Sequence, residues 1–347
     1  MLSNATKEKI ALEVIKTLFV RFKKFPENAD VNRNAPFHKA FLNAFSDKLT
    51  DHVTDIPYFI SLSSWLHGLN TTLGQSFFEN VAHILSNGYK RSFTNKANSL
   101  LRIHNSQKER IHDIITNLKN SNTVPNLEVE NEQLFDSSLE TNIDANNFTV
   151  DVFYENNEEI IAIELKSVRP NAGEMRGEKQ KILEAKSALF FEYTDKIIKY
   201  YIGFPFDPTS NTELEFDKTR FLNYLIDGNK YFAPDEVLLS SELWDFLSGD
   251  TNTMQQILDV INAIATPQFM DNYNFINDYR NIENTTEKHE KILENWFLFT
   301  EKKIVQNYYN IKKIIDRNSM LKRKFQQPLF KKEKYNEARK ETLLNIL

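Results

Sequence analysis

The sequence predicts an α/β fold in which a small mixed β-sheet is flanked by helices, with helical additions at both ends of the chain. Helical periodicity dominates the N-terminal and C-terminal parts of the 347 residues. Between them, runs rich in β-branched and aromatic residues, each bounded by polar residues, lie at 148–154, 159–167, 197–205 and 236–240. A helical pattern separates the second run from the third. The predicted core is therefore a β-hairpin followed by a helix and two further strands.

The remaining elements follow in chain order. Apolar periodicity predicts helices at 6–25, 36–50, 61–87 (in two stretches), 96–119, 178–193, 241–265 and 286–316. Residues 120–147 are rich in Asn, Glu and Ser and are predicted as a loop with a short strand near Leu127. These elements predict an N-terminal helical region at 1–60, a core with upstream helices at 61–265, and a C-terminal helical region at 266–347.

Composition excludes several classes of protein. The chain has no cysteine, which removes disulfides, thiolate zinc sites and cysteine nucleophiles, and which suits a reducing cytoplasm. Its eight glycines form neither GxGxxG nor GxxxxGK[ST], so the phosphate-binding loops of Rossmann and P-loop proteins are absent. The N-terminus has no apolar signal core, and no segment reaches the ~18 apolar residues of a membrane span. We expect a soluble cytoplasmic protein.

Positive charge is concentrated near the C-terminus. The net charge of −5 at pH 7 argues against a general coat for nucleic acid. Between Lys312 and Leu347, however, there are eleven Lys and Arg but only four Asp and Glu, a local net charge of +7. Two interpretations stay open, a solvated helix face or a contact with nucleic-acid phosphates.

The predicted hairpin brings two carboxylates together. Side chains alternate along a strand, so Glu164 and Lys166 share one face of the second strand. A turn centred on Asn156-Asn157 would place Asp151 opposite Ala162, which makes Asp151 a diagonal neighbour of Glu164 at roughly 7–8 Å. A slip of one residue would put the two carboxylates on opposite faces.

The pattern Asp–x12–Glu–Leu–Lys supplies the oxygen ligands that suit Mg²⁺. We expect the side chains of Asp151 and Glu164, with the carbonyl of Leu165, to hold an ion that keeps waters and takes phosphate oxygens. Such an ion makes bound water a better nucleophile and offsets charge on a scissile phosphate. Lys166 can orient that water or hold the phosphate. The alternative is a solvent-exposed ion pair, but the apolar residues 160–163 indicate a central strand, where charges are costly.

These residues resemble a known family of enzymes. Asp151, Glu164, Leu165 and Lys166 are similar to the PD-(D/E)xK nuclease signature, with Val150 where the signature has Pro. Residues 164–183, and Ser76-Phe-Phe-Glu-Asn-Val-Ala upstream, resemble the TdeIII-type family of type II restriction endonucleases, and the resemblance covers about residues 60–265. It implies a restriction-endonuclease-like core and Mg²⁺-dependent cleavage of both strands of duplex DNA at a short palindromic, GGNCC-like site.

The resemblance also implies partners. A palindromic site has a two-fold axis, so a homodimer is expected. A cognate DNA methyltransferase is implied as a genetic partner but not as a subunit, in the cytoplasm of a bacterium. Two alternatives stay open, a repair or defence nuclease of the same fold that reads DNA structure, and a non-catalytic DNA-binding protein.

Further candidates lie outside the hairpin. Glu79 falls on the polar face of a helix, where nucleases of this class often add a carboxylate, and is a fourth catalytic candidate; a plain solvent-facing Glu is the alternative. A basic loop follows the hairpin and is expected to contact the DNA backbone, with base reading as the sharper possibility. The candidates for DNA contact, there and in the basic C-terminal region, are Arg169, Asn171, Arg176, Lys179, Gln180, Lys322, Arg323 and Lys324.

Overall fold

The computed structural model describes residues 1–27, 36–45, 49, 55–95, 101–135, 141–166 and 172–347. The chain divides into two compact units. Unit 1 consists of Met1–Leu2 and Phe78–Leu258, and unit 2 consists of Ser3–Phe77 and Asp259–Leu347. Among the described residues, every helix is too short or too polar to cross a lipid bilayer.

The elements follow one another in this order. The N-terminal part of unit 2 forms α1 (Asn4–Lys23), α2 (Pro36–Leu42) and α3 (Ile56–Thr72), which runs through a π-helical turn (Leu73–Phe77) into unit 1. Unit 1 then forms α4 (Phe78–Ser86), β1 (Tyr89–Phe93), β2 (Arg102–His104), α5 (Asn105–Lys119), α6 (Leu127–Leu134), β3 (Asn142–Asp144), β4 (Phe148–Glu155), β5 (Glu159–Leu165), α7 (Ala172–Glu192), β6 (Ile197–Phe204), α8 (Lys218–Tyr224), α9 (Gly228–Tyr231), β7 (Val237–Leu239) and α10 (Ser241–Ser248).

The chain returns to unit 2 within the next helix, α11 (Thr253–Ile264). The elements that follow are α12 (Phe269–Asn277), α13 (Arg280–Asn284), α14 (Thr286–Asn295), α15 (Phe299–Gln306), α16 (Tyr308–Ile315), α17 (Ser319–Phe325), β8 (Phe330–Lys331), β9 (Lys334–Tyr335) and α18 (Glu337–Leu344).

A mixed sheet forms the centre of unit 1. Within the described part of the chain it has five strands in the order β1-β4-β5-β6-β7. Strand β4 is antiparallel to β1 and β5, whereas β6 is parallel to β5 and β7. Parallel neighbours need a crossover, and α7 provides it between β5 and β6. The predicted α/β class, a small mixed sheet flanked by helices with helical regions at both ends, is confirmed.

Strand β5 is central because its sequence suits burial on both faces. Residues 160–163 are all buried, as expected for an apolar run in the middle of a sheet. The core around it joins strands β4 to β7 with helices α5 and α7, through Ile111, Leu118, Phe153, Ile160, Ala162, Leu183, Leu189, Ile202 and Leu239. The buried sheet therefore gives the hairpin β4–β5 a rigid base.

Two predicted stretches of secondary structure were wrong upstream of the hairpin. The predicted helix at 96–119 begins only at Asn105, where Gln107 completes a capping box with the backbone of His104. The predicted loop at 120–147 contains helix α6, whose first turn is capped by the side chain of Asn126. Strand β1 was not predicted, because Tyr-Lys-Arg-Ser-Phe is short and polar, as edge strands often are.

Candidate active site

The hairpin β4–β5 places Asp151 and Glu164 directly opposite each other. Phe153 pairs with Ala162 and Val152 with Ile163, so the next pair toward the site joins Asp151 with Glu164. The predicted pairing of Asp151 with Ala162 is therefore wrong by two residues. A shift of two keeps every side chain on its face, so the predicted shared face is retained, and directly opposed residues are generally closer together than the diagonal neighbours that were expected.

The turn explains the shift in register. The side-chain oxygen of Asn156 accepts hydrogen bonds from the backbone N–H groups of Glu158 and Glu159, both at 2.8 Å. These bonds make a compact loop beyond the Glu155–Ile160 pair, as Asn side chains commonly do in turns. At the other end of the hairpin, the backbone N–H of Leu165 donates to Asp151 Oδ2 at 3.0 Å, which fixes one oxygen of that carboxylate.

Glu79 and the unpredicted Lys90 complete one side of the site. Lys90 Nζ lies 2.9 Å from Glu79 Oε2 and 3.2 Å from Asp151 Oδ1, so one ammonium bridges two carboxylates. The register between β1 and β4 shifts between Tyr89 and Arg91, so that Lys90 lies opposite two residues of β4, Asp151 and Val152, and such bulges commonly re-aim a side chain. Glu79 thus lies beside the hairpin, as the sequence suggested, but contacts it through Lys90.

The electrostatics of Lys90 reflect this bridge. Partial burial acts to lower its pKa, but its hydrogen bonds to Glu79 and Asp151 outweigh that effect and raise the pKa above the ordinary lysine value. Helix α4 is also tied to the strand, because His83 Nε2 lies 2.7 Å from the carbonyl oxygen of Asp151. The helix that carries Glu79 is therefore anchored to strand β4.

Helix α7 closes the other side of the site. Glu164 is only 6% exposed, and its two oxygens contact Lys181 Nζ at 2.7 Å and Lys166 Nζ at 3.3 Å. Lys166 in turn lies 2.8 Å from Glu178 Oε1. Lys181 and Glu178 were not among the predicted site residues, because charged residues at helical spacing are common on solvated faces and nothing local marks their partners.

Burial and neighbouring charge perturb this group of residues. Burial is the main cause that raises the pKa of Glu164, and the charge of Asp151 raises it further, whereas Lys181 and Lys166 oppose the shift. For Lys166, burial acts to lower the pKa, but the hydrogen bond with Glu178 and the charge of Glu164 raise it overall. Lys166 is therefore held as an ammonium that can donate hydrogen bonds or bind an anion.

Tyr200 lies buried next to these charges. It is 2% exposed, and its hydroxyl has no hydrogen-bond partner within the part of the chain that the structure describes. Burial, followed by the charges of Glu164, Asp151 and Glu178, raises its pKa well above the ordinary tyrosine value. The phenol therefore stays neutral beside the carboxylates.

The donor atoms at the hairpin fit a hard divalent cation. Among the described residues, no three His, Cys, Asp or Glu side chains are grouped to hold a metal ion, so protein side chains alone would supply few ligands. The N–H and C=O of a strand residue project toward the same neighbouring strand, so the Leu165 carbonyl lies on the side of Asp151. Two carboxylates and one carbonyl suit Mg²⁺, which keeps several waters.

The basic loop after the hairpin is only partly described. Arg169 and Asn171 lie outside the described residues. Arg176 and Gln180 are exposed in the first half of α7, and Gln180 donates a hydrogen bond to Glu184 at 2.9 Å. Their exposure leaves both side chains accessible to a ligand.

Lys179 requires a correction. It is fully buried, and its Nζ lies 2.5 Å from Glu130 Oε2 and 2.6 Å from Glu236 Oε1. The expectation that Lys179 contacts DNA does not fit this burial, because the ammonium is already paired twice inside unit 1 and cannot reach a ligand at the surface. Its role is structural.

The basic C-terminal region mixes exposed and structural cations. On α17, Lys322 and Arg323 are exposed, and Lys324 is half-buried; Lys322 Nζ lies 3.7 Å from Asp316. Arg339, by contrast, is fully buried and lies 2.7 Å from Glu301. Part of the local positive charge is therefore neutralised inside unit 2, while α17 keeps its cations at the surface.

The central hairpin of a mixed sheet carries Asp151 opposite Glu164, and Lys166 follows Glu164 by two residues. This arrangement defines a nuclease of the PD-(D/E)xK class. The chain belongs to the HinfI family of type II restriction endonucleases, whose family model matches residues 2–265. It is 42% identical over 366 aligned residues to the type II restriction enzyme MjaII of Methanocaldococcus jannaschii, covering 99% of this chain and 98% of that protein. No solved structure matches the chain significantly.

These comparisons confirm the predicted class of enzyme. The family is that of type II restriction endonucleases, as the motifs suggested; the family model that matches is HinfI, whereas the motifs resembled the TdeIII-type family. The match includes the hairpin and all of the site residues from Glu79 to Lys181.

Proposed function

We propose that the protein hydrolyses both strands of duplex DNA at a short palindromic site and that it requires Mg²⁺. The observation that carries this proposal is the opposed pair Asp151 and Glu164 beside Lys166, in a chain of the restriction endonuclease family. When bound, Mg²⁺ supplies a more acidic water and offsets charge on the scissile phosphate.

Each residue of the site has a proposed role. Asp151, Glu164 and the Leu165 carbonyl hold the metal. Lys166, kept as an ammonium by its acidic neighbours, holds the phosphate or orients the attacking water. Glu79 adds a carboxylate that reaches the site through Lys90. The reaction forms a bond from the water oxygen to phosphorus and breaks the bond from phosphorus to the sugar oxygen.

We place the DNA contacts on exposed basic segments. Arg176 and Gln180 on α7, with Arg169 and Asn171 in the segment before it, are the candidates nearest in sequence to the catalytic strand. On α17, Lys322, Arg323 and Lys324 are candidates for phosphate contacts that carry no sequence information.

The resemblance supplies the first site to test, a GGNCC-like sequence. A two-fold site favours a homodimer with one catalytic hairpin for each strand. Such an enzyme is expected in the bacterial cytoplasm together with a methyltransferase that protects the host DNA.

The decisive experiment is digestion of a plasmid of known sequence with Mg²⁺, followed by mapping of the ends. Discrete fragments with a common end sequence are expected. Smears or cleavage only at unusual DNA structures would favour a structure-reading nuclease, and binding without cleavage would favour a non-catalytic protein.

Variants make the same experiment specific to the hairpin. Asp151→Ala and Glu164→Ala should each abolish cleavage in Mg²⁺ and leave DNA binding in Ca²⁺ largely intact. Glu158→Ala is the matched control, because it removes an exposed carboxylate from the turn of the same hairpin. Full cleavage by either of the first two variants at saturating Mg²⁺ would refute the metal site.

A further inference from the structure

The catalytic strand is paired crosswise with helix α7. Glu164 and Lys166 lie two residues apart on one face of the chain leaving β5, and Glu178 and Lys181 lie about one turn apart on the helix. Glu164 of the strand contacts Lys181 of the helix at 2.7 Å. Lys166, which follows the strand, contacts Glu178 of the helix at 2.8 Å. Each strand residue therefore has its own counter-ion on α7.

The distances show which pairing dominates for Lys166. Its Nζ is closer to Glu178 Oε1, at 2.8 Å, than to Glu164 Oε1, at 3.3 Å. Glu178 depends on this contact in turn. Its side chain is 18% exposed, and its Oε2 is buried without a hydrogen-bond partner in the described part of the chain, with Lys181 Nζ 3.9 Å away. Lys166 is thus the main counter-ion of Glu178.

Without Glu178, the nearest acid to Lys166 would be Glu164. Glu164 Oε2 already contacts Lys181, so a closed ion pair with Lys166 would occupy Oε1 as well and lower the negative charge available there. A divalent cation would then have to displace the ammonium from a half-buried pair, where the attraction is only partly screened by solvent. The separation of these two residues therefore decides how readily Glu164 binds a cation.

We propose that Glu178 is a positioning residue that draws Lys166 toward α7, so that Oε1 of Glu164 stays available to the catalytic metal. The inference rests on the proposed function, in which Glu164 is a metal ligand. Glu178 itself touches neither metal nor DNA in this mechanism and acts through Lys166.

The test is Ca²⁺ binding by calorimetry without DNA, because it needs no cleavage. Glu178→Gln keeps the size of the side chain and removes its charge. It should weaken Ca²⁺ binding about tenfold, the effect expected when one charge-assisted hydrogen bond is removed. Single-turnover cleavage in Mg²⁺ should slow, while the Kd for DNA stays unchanged. Glu178→Asp should restore most of the Ca²⁺ affinity, and Glu192→Gln, in the last turn of the same helix, should behave as wild type.

A double-mutant cycle separates positioning from a general effect of charge. In a Lys166→Met background, Glu178→Gln should change Ca²⁺ affinity by less than about twofold, because the residue through which it acts is gone. Equal effects in both backgrounds would overturn the proposal, as would normal Ca²⁺ binding by Glu178→Gln. Thermal melts show whether Glu178→Gln folds. If it does not fold, the Ca²⁺ affinity of Glu178→Asp is measured in both backgrounds in its place.

The proposed function fails separately. If Glu164→Ala binds Ca²⁺ as tightly as wild type, Glu164 is not a metal ligand, and both the proposed metal site and the positioning role of Glu178 are refuted. If Glu164→Ala loses Ca²⁺ but Glu178→Gln binds it normally, only the positioning role is refuted.

Discussion

Replacing Glu164 by Gln should separate the stability of unit 1 from its activity. The substitution keeps the shape of a side chain that is 6% exposed and removes its charge. It turns the contact with Lys181, at 2.7 Å, and the contact with Lys166, at 3.3 Å, into interactions with a neutral amide. Lys166 still has Glu178, and both lysines are partly exposed, so neither ammonium becomes buried without a partner.

The expected decrease in stability is small. A hydrogen bond to a charged group contributes ~1.5–3 kcal/mol, but a neutral amide keeps part of it. The substitution also removes the cost of burying the carboxylate, the main cause that raises the pKa of Glu164. We expect unfolding to become easier by about 1–2 kcal/mol, which lowers Tm by roughly 2–8 °C for a unit of this size.

The expected decrease in activity is large. Mutation of a residue that only supports a metal ligand typically lowers metal affinity or activity 10–100-fold. Removal of a direct ligand should therefore slow single-turnover cleavage by more than about a thousandfold. The assay is cleavage of a defined plasmid with enzyme in excess, at increasing Mg²⁺, with thermal melts by circular dichroism on the same samples. A folded Glu164→Gln variant that retains more than about a tenth of the wild-type rate would refute the assignment.

Three further predictions concern other parts of the molecule. Lys166→Met should slow single-turnover cleavage far more than it weakens DNA binding, since one phosphate interaction is a small part of the electrostatic affinity; a normal rate with collapsed affinity would make Lys166 a binding residue. Neutralising Lys322, Arg323 and Lys324 together should flatten the salt dependence of DNA binding by up to ~0.9 log unit for each phosphate that the variant no longer neutralises, and an unchanged slope would indicate a solvated helix face. Burial, then the charge of Arg339, lowers the pKa of His289 to about 4, so the unfolded chain takes up a proton first as pH falls. Unit 2 should therefore lose up to about 3 kcal/mol of stability from pH 6.5 down through pH 4, and His289→Leu should lose less in melts at pH 7 and 4.5.

The alternation of strand side chains was enough to predict the central pair of the site. Asp151 and Glu164 share a face in any register shifted by an even number of residues, so the prediction survived an error of two. That error came from Asn156, whose side chain replaces backbone hydrogen bonds in the turn. These hydrogen bonds depend on the side-chain rotamer of Asn156, which the sequence alone does not determine.

The partners of the pair could not be predicted because they come from other elements. Lys90 lies on an edge strand, opposite a bulge of β4 that includes Asp151, and the sequence of β4 gives no signal for a bulge. Lys179 was expected to face the DNA because the predicted helix begins at residue 178, which would put Lys179 in its first turn. Its acids, Glu130 and Glu236, are distant in sequence and meet it only in the folded core.

Unit 2 is assembled from two stretches of chain that residues 78–258 keep apart. Helix α1 buries Ile10, Val14 and Phe19, and Phe19 packs against Tyr273, from the second stretch. During synthesis at ~5–20 residues per second, the partner Tyr273 is added roughly 12–50 s after this helix is complete.

The intervening residues, which contain the hairpin β4–β5, are synthesised within that interval. The nascent chain thus carries the apolar face of α1 without its partner after the residues of the candidate site have already been synthesised. A chain that ended before residue 259 would contain the candidate site but only the first stretch of unit 2. Its exposed apolar surface would make it a substrate for chaperones and proteases.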